Sequence, residues 1–186
     1  MKQFIYVLAI LLVCSFYNIL RGQNVNYGYE NWPGKYGSSK SGVKVPEKIL
    51  ENLNAVLTIG SNESSFFYKI PIDENDSIRV GRFQSCIFST PQAAQFGLVQ
   101  YLNELTTANK PRQLDKANFS FGDVAFGNSI DGVLHLVYTR NNIFVVIICD
   151  QNVAVEIGEI FDKLIKDAPD RDENQSKPTF NYNSIN

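Results

Sequence analysis

The chain has 186 residues, 44% of them apolar and 19% charged, with a formal net charge of −2 at pH 7. That is enough chain for one compact domain and too little for two full ones. The balance excludes a collagen-like or grossly disordered chain, and a charge near zero argues against a dedicated nucleic-acid binder, which needs a basic surface to meet phosphates.

Residues 1–22 read as a signal peptide. Lys2 supplies a positive start, and the run from Phe4 to Val13 is purely apolar. A spanning helix needs about 20 apolar residues, which favours a secretory leader. Gly22 is a small residue at a plausible cut. Leu20, three positions before that cut, is larger than peptidases prefer, so an N-terminal membrane anchor is the alternative. Val13 ahead of Cys14 does not suit a lipidation signal. The expected location is secreted or periplasmic, with no membrane span after signal cleavage.

Residues 23–44 are rich in Asn, Gly, Tyr, Ser and Lys and show no apolar period, so they are expected to form a flexible arm. Tyr27, Tyr29, Trp32 and Tyr36 stand out there. Exposed aromatic clusters are uncommon without a partner. These four rings therefore either dock onto the domain or form a binding face for sugars or proteins.

A globular domain is expected over 45–167. Pro46 suits a first helical turn, and Ile49, Leu50, Leu53, Val56 and Leu57 share one helical face before Gly60. Phe66, Tyr68, Ile70 and Ile72 alternate as in a strand, with Pro71 favouring an edge or strand end. Asp73 to Asp76 forms a turn. A second strand runs from Ser77 to about Ser89, and its change of apolar face near Gly81 predicts a bulge.

Thr90 and Pro91 signal a helix start, and Ala94, Leu98, Tyr101, Leu102 and Leu105 follow with helical spacing. Thr106 to Lys116 is a polar connection. Strands are expected at Phe119–Phe126, Val133–Thr139 and Ile143–Cys149, joined by tight turns at Asp131-Gly132 and Asn141-Asn142. The last strand has no polar alternation, which places it centrally with both faces covered. Val153, Ile157, Ile160, Phe161 and Leu164 then mark a helix capped at Asp150 or Asn152. Residues 168–186 are polar and aperiodic and are expected to be a disordered tail.

The fold class is therefore α+β, a single domain of order α-β-β-α-β-β-β-α. Tight turns force an antiparallel sheet of about five strands, and helices packed on one face are the simplest cover.

Few residues point to chemistry. The single histidine, His135, lies on a strand face with Val133 and Val137. A catalytic thiol would need that base and an orienting group within reach, and nothing in the sequence aligns them. Cys86 and Cys149 both sit in apolar runs. An oxidising compartment invites a disulfide between them, while burial as two free thiols explains them equally well. One His and two mature Cys cannot make a zinc tetrad without carboxylates. The Asp73–Asp76 run fails as a calcium loop, because Ile78 and Gln84 occupy the positions needing Gly and Glu. No glycine-rich phosphate loop is present, so neither metal nor cofactor is expected. Gly122-Asp123 suggests a bulge or an inward carboxylate. Glu156 and Glu159 lie off the last apolar stripe as a solvated face. Glycosylation sequons start at Asn62, Asn75, Asn118 and Asn174.

The expected function is a secreted or periplasmic non-catalytic binding or accessory protein, its partner a protein or a small ligand. An inhibitor or interaction module of cystatin-like architecture is one alternative. It resembles only the helix-over-sheet layout, and the Gln-x-Val-x-Gly loop of cystatins is absent. A small hydrolase using His135 is the other.

Overall fold

Two tight turns and the apolar run between them fix the centre of the fold. Asp131 (φ 49°) and Gly132 (φ 79°) both take positive φ, the geometry that folds a twisted hairpin back on itself. Asn141 does so at φ 51°. The computed structural model describes residues 25–46, 61–62, 65–71, 80–106, 109–116, 119–172, 174 and 177–183. The expected signal peptide, the helix around 49–57 and the Asp73–Asp76 turn lie outside these residues.

Nine strands and two α-helices are described. The strands are β1 (Gly42–Pro46), β2 (Ser61–Asn62), β3 (Ser65–Pro71), β4 (Val80–Ile87), β5 (Arg112–Gln113), β6 (Val124–Ile130), β7 (Val133–Arg140), β8 (Ile143–Asp150) and β9 (Thr179–Asn183). The helices are α1 (Pro91–Glu104) and α2 (Gln151–Asp167). The main sheet runs β2-β3-β4-β8-β7-β6-β5, and every pairing in it is antiparallel. Its two outermost strands are two residues long, so five longer strands carry it, as expected for an α+β domain.

Local chemistry sets the helix starts. The Thr90 hydroxyl accepts from the Ala93 N–H at 3.1 Å, and Pro91 occupies the first turn of α1. The Asp150 carboxylate accepts from Asn152 and Val153 N–H groups and so caps α2.

The helices cover opposite faces of the sheet, which corrects the expectation of one covered face. Leu98 and Leu102 of α1 cluster with Val124, Phe126, Val137, Phe144 and Val146. Ala154, Ile157, Phe161 and Ile165 of α2 cluster with Leu134, Leu136, Tyr138, Val145 and Ile147. The physical reason lies in β7 and β8, which are apolar at both parities. Each face then removes apolar area from water only if something packs on it.

Three further expectations are corrected. The β3–β4 register runs unbroken from Ser65↔Cys86 to Pro71↔Val80, so no bulge interrupts it at Gly81. β6 begins at Val124 rather than near Phe119, because Gly122 turns the chain at φ +77°. The segments at either end of the described chain are built into the fold. β1 and β9 pair in parallel, and Val43, Val45 and Phe180 are buried in the cluster that surrounds α2. Residues 25–44 are therefore not a free arm, and 168–186 contains a strand rather than only a disordered tail.

Polar contacts fasten those segments. The Lys40 ammonium donates to the Lys166 and Ala168 carbonyls and to Asp170, closing the C-terminus of α2. Trp32 is 5% exposed, and its indole N–H donates to the Tyr27 carbonyl.

Candidate functional site

Strand register assembles a row of three polar residues and one isoleucine that the linear sequence hides. Arg82 of β4 is the partner of Ile148 in β8, Ile148 of His135 in β7, and His135 of Asn128 in β6. The four residues cross the sheet on the face that α1 covers. The last turn of α1 sets Tyr101 above them.

The Tyr101 hydroxyl lies 2.9 Å from His135 Nε2, and the Arg82 guanidinium donates to the same hydroxyl at 3.2 Å. The tyrosine and histidine rings meet edge to face with centroids 5.8 Å apart. In the Nδ1–H tautomer the hydrogen bonds run in one direction, from Arg82 to Tyr101 to His135. Burial, and after it the nearby Arg82 charge, push the His135 imidazole down to about 4. Burial raises the Tyr101 phenol against the opposing influence of Arg82. At neutral pH the pair is a neutral imidazole and a protonated phenol.

A groove of about 360 Å³ opens over this row. Leu105, Ile130, Val133 and Ile148 give it an apolar floor, and Arg82, Tyr101, Asn109, Asn128 and His135 converge on it. A second groove of about 520 Å³ shares Asn128 and is bounded by Tyr27, Lys110, Arg112, Gln113 and Phe126.

Comparison with protein-family models finds no match, and comparisons with curated proteins and with solved structures find none either. The site is therefore read from its own geometry.

A third cavity, of about 550 Å³, lies near Asp123. Asp123 is committed elsewhere. It pairs with Arg140 at 3.0 Å and accepts the Asn141 N–H at 2.7 Å. Arg140 also grips Asp162, which accepts the Gly122 N–H at 2.8 Å and pairs with Lys166 at 2.7 Å. Burial alone would raise the Asp162 carboxyl, but hydrogen bonds from Arg140, Lys166 and Gly122 hold it below its usual range. Two cations and two carboxylates satisfy one another, so this network ties α2 to the sheet and leaves little charge for a ligand. The Gly122-Asp123 pair thus marks a turn with an inward carboxylate.

The four aromatic candidates separate. Trp32 is buried against Phe126, and Tyr27 meets Phe126 edge to face while its hydroxyl donates to the Leu102 carbonyl. Tyr29 packs on Trp32 and carries the Lys35 ammonium 3.9 Å from its ring centroid. Tyr36 alone stands clear, at 89% exposed.

The sheet rules out a disulfide between Cys86 and Cys149, and both thiols are free. Cys86 pairs with Phe144 in β8, five residues from Cys149. That offset is about 16 Å along a strand and puts the side chains on opposite faces, whereas a bridge needs Cα atoms within about 7 Å. Neither thiol lines the groove with His135. No cluster of three metal-binding side chains occurs among the described residues.

Arg82, Tyr101 and Asn128 escaped the sequence reading as site residues. In the sequence Tyr101 falls on an apolar helix stripe, and the other two are ordinary strand positions. The signal for Arg82 and Asn128 is a strand face shared with His135, which appears only once the register is known, and Tyr101 is set over that face by α1.

Proposed function

We propose that this chain is an exported, non-catalytic binding protein that holds a ligand in the groove over the Arg82, Ile148, His135 and Asn128 row. One observation carries the reading. His135 is engaged at 2.9 Å by the Tyr101 hydroxyl, in a groove that among the described residues is lined by no carboxylate and no thiol. A hydrolase that uses His135 as base for a nucleophilic side chain needs that nucleophile and a group to stabilise the charged imidazole. Here burial keeps the phenol protonated and the imidazole neutral, and Arg82 opposes an imidazolium. Convergent hydrogen-bonding groups over an apolar floor are the usual form of a small-ligand site. Export rests on the leader-like residues 1–22. The cystatin-like alternative gains no support from helices on both faces of the sheet.

Amide chemical-shift mapping with a small-molecule fragment collection tests this reading on the exported protein. Perturbations grouped at Arg82, Tyr101, Asn128 and His135 are expected. Perturbations confined to another surface, such as the loop around Tyr36, overturn the site. Ester turnover that disappears in His135→Ala would reinstate the hydrolase.

A further inference from the structure

We infer that the groove selects a small organic acid, its carboxylate at Arg82 and its apolar body over Leu105, Ile130, Val133 and Ile148. This inference rests on the site proposed above and names its ligand class.

The charge distribution is the first argument. The whole chain carries 19 acidic and 17 basic residues. Around the groove that balance is reversed. Among the described residues Arg82 is the charged one of its lining, and Lys110 and Arg112 are those of the adjoining groove joined to it at Asn128. Among the described residues no acidic side chain lines either one. A local positive field on a net-negative protein attracts anions and repels cations.

The arrangement of donors is the second. A guanidinium presents parallel N–H groups that match the two oxygens of a carboxylate. Arg82 spends one nitrogen on the Tyr101 hydroxyl at 3.2 Å, which fixes the orientation of its fork at the groove wall. Among the described residues no carboxylate pairs with it. Asn109 and Asn128 add neutral amide donors.

The floor supplies the third. Ile130 is 49% exposed and Val133 and Ile148 are half-buried, so apolar area on one side of the groove lacks a cover. A ligand with an acidic head and an apolar body satisfies both halves of the lining. The volume of about 360 Å³ falls within the usual range for small-molecule sites, about 300–1,000 Å³.

The test compares octanoate, octanamide and a hexapeptide with a free C-terminus by calorimetry and amide shift mapping at low salt. Octanoate is expected to bind about tenfold or more tightly than octanamide, with shifts at Arg82, Tyr101 and His135. Added salt should weaken octanoate and leave octanamide unchanged. Arg82 is exposed, so Arg82→Gln should keep the wild-type Tm and lose the preference for the acid. Equal binding of acid and amide in this groove overturns the anion inference and leaves the site standing. Tighter binding of the peptide overturns the small-molecule class. Absence of all three from the groove, with fragments mapping to another surface, overturns the site itself.

Discussion

Lys40 and Asn142 bond to each other as though they were neighbours in a sheet. The Lys40 N–H donates to Asn142 Oδ1 at 2.6 Å, and Asn142 Nδ2 donates back to the Lys40 carbonyl at 3.1 Å. The same Nδ2 reaches the Phe88 carbonyl at 2.7 Å, while the Asn142 carbonyl accepts the Phe88 N–H at 2.8 Å. One fully buried side-chain amide therefore pins the N-terminal segment and the β4–α1 corner to the β7–β8 turn.

Asn142→Ala removes the side-chain partner of the Lys40 N–H and of the Lys40 and Phe88 carbonyls in a largely buried site. Each buried unpaired group costs about 1–3 kcal/mol, so a loss of about 2–4 kcal/mol is expected in urea unfolding. Asn142→Asp should be no milder, because a carboxylate cannot donate to the two carbonyls.

The depressed His135 pKa sets a pH window for stability. In the unfolded chain the imidazole titrates near its ordinary 6.5, and in the folded chain near 4. Between those values the unfolded state binds more protons, so stability is complete above about 6.5 and falls as pH drops toward about 4. His135→Gln should flatten the Tm profile over that interval. The lowered Asp162 carboxyl adds its own loss only below its ordinary value of 3.8.

Trp32 is the chain's single tryptophan and reports on the docked segment. Its emission should be blue-shifted and poorly quenched by iodide in the native state. Trp32→Ala should cost about 3–5 kcal/mol, as for other buried aromatics. Tyr36→Ser, at a fully solvated ring, should stay within about 0.5 kcal/mol of wild type.

The thiols should differ in reactivity without ever joining. Burial and the Asp150 charge push the Cys149 thiol up to about 12. Burial raises Cys86 as well, and its Gln84 hydrogen bond opposes the rise. Native iodoacetamide treatment followed by intact mass should show slow labelling at Cys86 first. Unfolding without reductant should expose both to alkylation, and protection of the pair would contradict the sheet register.

Elements whose signals are local were legible in the sequence. Thr90-Pro91 and Asp150 begin helices through contacts within a few residues, and Asp131-Gly132 turns a hairpin without outside help. Val43, Val45 and Phe180 were not legible. A strand of five residues has too little periodicity to stand out, and these are held by a partner far away in sequence. The Arg82, Tyr101, His135 and Asn128 group failed to show for the same reason. Its members come from four elements, and only tertiary register brings them together.

The parallel pairing of β1 with β9 gives the molecule an order of assembly. Val43 and Val45 are made early, yet the strand beside them runs from Thr179 to Asn183. A ribosome or an export channel delivers a chain from its N-terminus, so this layer stays open until residue 183 has emerged. The layer therefore cannot lock while residue 183 is still inside such a channel, and a stop codon placed shortly after α2 would leave β1 without its partner.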